Sequence, residues 1–167
     1  APLTGIRHTA ERLETSVNDV QVGVRSGDTS AADRRRLSTK PPDILITTNP
    51  IRTLTGSGYI GHPDHFAAGE AALSAVFPAA RDHLTFPELL EEGLEPHKVR
   101  EGLITGHDKP DKWIDVTDSI DTAVEALLAH TSQLGQEAAD RVREWKREAG
   151  KEHGSEYAEA FKSFILR

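Results

Sequence analysis

Between Pro41-Pro42 and Asn49-Pro50 runs Asp43-Ile44-Leu45-Ile46-Thr47-Thr48, an unbroken apolar and β-branched stretch. Proline on both sides keeps it out of a helix, and its lack of polar alternation predicts a strand covered on both faces, as in parallel sheets. Asn49 to Gly61 is rich in Gly, Thr and Ser and reads as a loop leaving the C-terminal end of that strand. Pro63 and Asp64 then open a helix with Phe66, Leu73 and Val76 on one face and Pro78 near its end. A strand, a loop and a helix that returns to cover the strand make a βα unit, which places the chain in the α/β class.

The flanking segments extend that reading. Leu3 to Leu13 suits a helix, Val20 to Val24 alternates as a strand ending at Ser26-Gly27-Asp28, and Thr29 or Ser30 caps a short helix to Leu37. Residues 79–98 are irregular and acidic, broken by Pro87, Gly93 and Pro96. Val99 to Thr105 and Trp113 to Val116 predict two short strands. Ile120, Val124, Leu127 and Thr131 form an apolar helical stripe, and a last helix over Glu137 to Ala149 is expected to bury Val142 and Trp145. Tyr157 to Ile165 closes the chain as a mixed apolar segment. The predicted fold is one domain over residues 1–167, α/β, with a mostly parallel sheet of about four or five strands and helices on both faces, a Rossmann-like three-layer sandwich.

Composition removes several classes of function. A net charge of −7 on 167 residues argues against a nucleic-acid binder, which needs a basic face to displace counterions. Cysteine is absent, so disulfides and thiolate chemistry are excluded and a transition metal would have to use His, Asp or Glu. No apolar run approaches the roughly 18 residues of a membrane span, and a soluble, cytoplasmic chain is expected.

Gly61-His62-Pro63-Asp64-His65 is the most informative pentapeptide. It sets two imidazoles three residues apart at a helix mouth beside a carboxylate, which suits metal ligation or proton transfer as well as a plain loop cap. Gly56-x-Gly58-x-x-Gly61, with Asp82 further on, matches the dinucleotide fingerprint as a string. It starts too far after the strand, and Pro63 intervenes, so the tight pyrophosphate turn is not expected. Arg34-Arg35-Arg36 reads as a solvated face with a secondary reading as a phosphate clamp, and His130 as a packed structural histidine. His8, His83, His97, His107 and His153 have no partner visible in sequence.

From Asp43 onward the chain resembles the C-terminal half of the LmbE/PIG-L family of zinc-dependent N-deacetylases. The likeness runs through Gly61-His62-Pro63-Asp64-His65, the Ala-rich segment after it, Trp113-Ile114-Asp115-Val116-Thr117 and Ala129-His130-Thr131-Ser132-Gln133. The resemblance implies His65 as a zinc ligand and His62 as the group that polarises the substrate carbonyl or protonates the leaving amine. It implies Asp64 as the partner that orients an imidazole. The family's Ala-His-Pro-Asp-Asp segment, with two further ligands and the general base, has no counterpart here. Leu3 to Thr48, with Val22-Gly23-Val24-Arg25-Ser26-Gly27-Asp28-Thr29 and the strand to Thr47-Thr48, is instead similar to a RecA-like domain of the large helicase-related (Lhr) branch of superfamily II helicases. Its phosphate loop and acidic ATPase motif are missing, so ATP hydrolysis is not carried over.

Together these likenesses imply a chimera: residues 1–48 helicase-derived, residues 49–167 deacetylase-derived, joined by recombination in the laboratory, with natural fusion as the alternative. The expected product is an α/β domain with half a deacetylase pocket, zinc absent or weakly held, and little or no turnover. It predicts a homodimer as partner, and no nucleic acid, membrane or small-molecule substrate. Two other readings stand beside it. One is an active zinc-dependent N-deacetylase of acetylated amino sugars in which Asp28 replaces a lost metal ligand. The other is a nucleic-acid binding module using Arg34 to Arg36.

Overall fold

A computed structural model of the protein describes residues 42–52 and 60–167. The expected helix over Leu3 to Leu13, the strand Val20 to Val24, the helix to Leu37, Asp28, Arg34 to Arg36, Gly56 and Gly58 lie outside the described residues.

Among the described residues, four strands form one sheet in the order β1-β2-β4-β3, where β1 is Ile44–Thr48, β2 Glu101–Thr105, β3 Lys112–Asp115 and β4 Ala158–Ile165. β1 and β2 are parallel, from Ile44 opposite Glu101 to Thr48 opposite Thr105. β2 and β4 are antiparallel, from Glu101 opposite Ile165 to Thr105 opposite Phe161. The sheet is therefore mixed, and the expectation of a mostly parallel one is corrected. The closing segment, read only as mixed apolar, inserts as a strand between β2 and β3. Its polar residues hid it in the sequence, yet each has a partner: Ser163 donates to Glu101 Oε1 at 2.8 Å and Glu159 pairs with Lys146.

The chain divides into two compact units. The described part of one comprises residues 42–52, 60–110 and Phe161–Arg167, with a core of Leu45, Ala72, Val76 and Val99 on which Leu73 and Leu166 pack. Helix α1 (Pro63–Ser74) carries Gly69, Ala71 and Ala72 on its buried side, and these small residues let it approach β1 closely. A methyl at Gly69 would overlap the Thr48 carbonyl oxygen and lie 3.0 Å from the Pro50 nitrogen. α1 runs on through a π-type turn, Ala75–Ala79, that ends its regular winding at Pro78. Within the segment expected to be irregular, Pro87–Glu91 forms a short helix, α2, anchored by the fully buried Leu89. On β2, Gly102 has the Phe164 ring of β4 lying directly over it, filling the space a side chain would take.

β1 departs from its expected burial. Leu45 is buried, whereas Ile44 and Ile46 are 48% and 57% exposed. An apolar run without alternation says that both faces are apolar, and only packing decides whether both are covered.

The other unit, in its described part, is Asp111–Ala160. Helix α3 (Ile120–Leu128) buries Ile120 and Val124, and helix α4 (Gln136–Lys151) buries Ala139 and Gly150. Arg143 bonds Asp121 at 2.6 Å, Arg147 donates to the Tyr157 hydroxyl at 2.8 Å, and the Trp113 ring stacks on His153 at 3.7 Å. Gly150 allows the chain to double back, since a methyl there would meet the Ser155 carbonyl oxygen at 2.5 Å. The predicted burial of α4 is corrected: Val142 is half-buried and Trp145 is 63% exposed. The stripe of a helix names the face available for burial, and here small residues supply the contact. Among the described residues, no helix is long and apolar enough to cross a membrane.

Candidate functional site

Thr48 ends β1, and its hydroxyl donates to the His65 carbonyl oxygen at 2.5 Å, tying the strand's C-terminal end to the first turn of α1. Asn49 follows, a buried polar residue at 8% exposure. Its backbone N–H donates to Thr105 O at 3.1 Å, its Oδ1 accepts from Ile51 N–H at 3.0 Å and its Nδ2 reaches Gly106 O at 3.5 Å. The C-terminal ends of the parallel pair β1 and β2 are thus locked together. In open α/β sheets this is the edge where ligands bind.

His62 is the N-cap of α1, with extended backbone (φ −80°, ψ 135°), and its Nδ1 accepts the Asp64 N–H at 3.2 Å. A nitrogen that accepts this bond carries no proton, so the neutral ring holds its proton on Nε2. In that tautomer Nε2 carries the N–H, a donor of the kind that polarises an acyl oxygen. Asp64 sits in the first turn, 3.5 Å from His62 Nδ1, where the helix dipole favours its charge. The His65 ring lies 6.0 Å from that of His62, tilted by 47°. Both rings and Asp64 are exposed. Gly61, at φ +78°, starts this mouth and lets the Phe66 ring close over it, and Arg52 lies 4.8 Å above that ring.

His62, Asp64 and His65 are therefore brought together as the pentapeptide implies. A third metal donor is not: among the described residues, no group of three His, Asp or Glu side chains could hold a metal ion. The donors among the described residues are thus fewer than the three protein ligands that a zinc site takes. Asp28 lies outside the described residues. His130, expected to be packed, is exposed in the turn after α3. Sequence reasoning missed two residues at this end of the sheet. Asn49 is one. The other is His107, in the loop after β2, whose Nδ1 accepts the Lys109 N–H at 3.0 Å and lies 3.1 Å from Asp108. The signal for both was position directly after a strand.

No protein-family description matches the chain. It is 54% identical over 48 residues to the Lhr helicase/uracil glycosylase of Escherichia coli, covering 28% of this chain and 3% of that protein. A likeness of 53% over 47 residues holds for an Lhr helicase of Mycolicibacterium smegmatis, with the same coverage. A separate likeness, 30% over 109 residues, is to the diacetylchitobiose deacetylase of Thermococcus kodakarensis, covering 62% of this chain and 40% of that enzyme. The chain thus spans well under half the length of these curated relatives. In fold it is similar to N,N'-diacetylchitobiose deacetylase from Pyrococcus horikoshii, with a TM-score of 0.69 at 23% identity over 98% of this chain and 64% of that one. It also matches a conserved protein from Thermus thermophilus, with a TM-score of 0.66 at 20% identity over 99% and 74% of the two chains. One polypeptide therefore carries an Lhr-like stretch and a longer deacetylase-like stretch on an N-deacetylase-like α/β fold.

Proposed function

We propose that this chain is a recombined α/β domain that keeps half of a zinc N-deacetylase pocket, binds zinc weakly or not at all, and turns over little or no amide. The carrying observation is at the mouth of α1: the His62 and His65 imidazoles, 6.0 Å apart, stand beside Asp64, without a third donor among the described residues. His62 would orient an acyl oxygen, and His65 would be the one inherited ligand. Without a metal-bound water and a general base, the amide carbon has no activated nucleophile.

Zinc content by mass spectrometry of purified protein, alongside acetate release from N-acetylated amino sugars, tests this. The expected result is substoichiometric zinc and no chelator-sensitive acetate release. Stoichiometric zinc that is lost in His65→Ala, together with chelator-sensitive hydrolysis, would overturn it in favour of an active deacetylase with a rebuilt metal site. Salt-sensitive oligonucleotide binding that disappears when Arg34 to Arg36 are neutralised would instead favour a nucleic-acid module. Self-association belongs to the same proposal, since Ile44 and Ile46 are exposed on β1, an edge strand among the described residues. A strict monomer in sedimentation across a concentration series would count against that part.

A further inference from the structure

Val76, Phe77, Arg81, Lys98, Val99 and Leu166 line a cavity of about 50 Å³. It lies at the C-terminal end of α1, about 18 Å along the twelve-residue helix from the His62 cap, so it is separate from the candidate site. Its floor is apolar and belongs to the core: Val76 and Val99 are buried and Leu166 packs against them. Its rim is cationic. The His97 N–H donates to the Ala80 carbonyl oxygen at 2.8 Å, which sets the following residue of each segment, Arg81 and Lys98, beside the same opening.

Among the described residues, the two rim cations differ from their neighbours in having no counterion. Arg100 pairs with Asp43 at 3.1 Å, and Asp82 is engaged by the Leu84 N–H and the Thr85 hydroxyl. The side chains of Arg81 and Lys98 make no hydrogen bond or ion pair among the described residues. In a chain with 27 acidic residues against 20 basic ones, two uncompensated cations over one apolar pit form a positive focus in a negative field. A guanidinium offers a carboxylate two parallel N–H donors, and the ammonium adds a third from a flexible stem.

Size narrows the ligand. A cavity of about 150 Å³ holds benzene, and one water's share of liquid volume is about 30 Å³. At about 50 Å³, this open pit therefore accepts an alkyl end of two or three carbons, with the charged head left at the rim. We propose that this cavity binds a short aliphatic monocarboxylate, with its carboxylate between Arg81 and Lys98 and its alkyl end against Val76, Val99 and Leu166. The proposal does not rest on the deacetylase reading.

Methyl NMR on the full chain tests it, with sodium butyrate as the probe at constant ionic strength. Saturable shifts of the Val76, Val99 and Leu166 methyls are expected, with a tenfold or greater loss of affinity in Arg81→Gln/Lys98→Gln. Sodium chloride and 1-butanol, which each lack half of the recognised chemistry, should fail to saturate. Three results would overturn the proposal: no saturation by 50 mM butyrate, unchanged affinity in the double variant, or equal binding of inorganic phosphate without methyl shifts, which marks a generic anion patch.

Discussion

Replacing Gly69 with alanine sets two effects of opposite sign against each other. Gly69 lies inside α1, where alanine is intrinsically favoured over glycine by about 1 kcal/mol. Its missing methyl is, however, the space through which the chain leaves β1. A Cβ there overlaps the Thr48 carbonyl oxygen and lies 3.0 Å from the Pro50 nitrogen and 3.2 Å from its Cα. These are backbone atoms and cannot rotate aside. Restoring ordinary contact moves α1 outward by roughly 1 Å. The bond from the Thr48 hydroxyl to the His65 carbonyl, 2.5 Å in the native arrangement, is then stretched to the limit of hydrogen bonding. That loses about 1 kcal/mol, and the overpacking itself costs roughly 1–3 kcal/mol. The net expectation is a destabilisation of about 1–3 kcal/mol, or a Tm lowered by roughly 2–10 °C. Urea unfolding reads the stability, with an unchanged m-value showing that the same surface is exposed. Histidine NMR reads the site, because the displacement carries His62 and His65 with it. A Gly69→Ala protein that is more stable than the parent by about 1 kcal/mol, with unmoved imidazole signals, would refute the seating of α1 on β1.

Other expectations follow from the same packing and capping. Leu89, the fully buried residue of α2, should cost about 2–5 kcal/mol when cut to alanine, read by urea denaturation; a loss under 1 kcal/mol would mean the site collapses without a cavity. Gly135 caps α4 with extended backbone and no side-chain hydrogen bond, so Gly135→Ser should stabilise by only about 0.3 kcal/mol in thermal melts, since serine exceeds glycine at an N-cap by a few tenths. The Thr117 hydroxyl and amide hold the Asp115 carboxyl below its ordinary value. A depressed folded pKa contributes stability that is present above the unfolded value of about 3.9 and is lost as pH falls through the folded one. Asp115→Asn should therefore flatten the acid limb of the melting curve, and an NMR midpoint for Asp115 at or above the ordinary carboxylate range would contradict the assignment.

Several elements were legible because their signals are local. Pro63 at the first helical position, the stripe of Ile120 and Val124, and the apolar runs at Ile44–Thr48 and Glu101–Thr105 all appear as read, within a few residues at their ends. The His62-Pro63-Asp64-His65 grouping was legible for the same reason, since an N-cap and its first turn are set by neighbours in sequence. β4 was not, because Glu159, Lys162 and Ser163 break its apolar pattern, and the partners that accommodate Glu159 and Ser163, Lys146 and Glu101, are remote in sequence.

By itself, then, the sequence determined which segments wind or extend, where the imidazole pair stands on its helix, and that no thiol or long membrane-spanning run takes part. Tertiary structure alone decided that the sheet is mixed, that Ile44, Ile46 and Trp145 face outward while Leu89 is sealed in, and that Arg81 and Lys98 meet over one cavity. The division has a physical cause. Periodicity and capping depend on residues three or four apart, whereas burial and convergence depend on whatever else the chain brings to the same place.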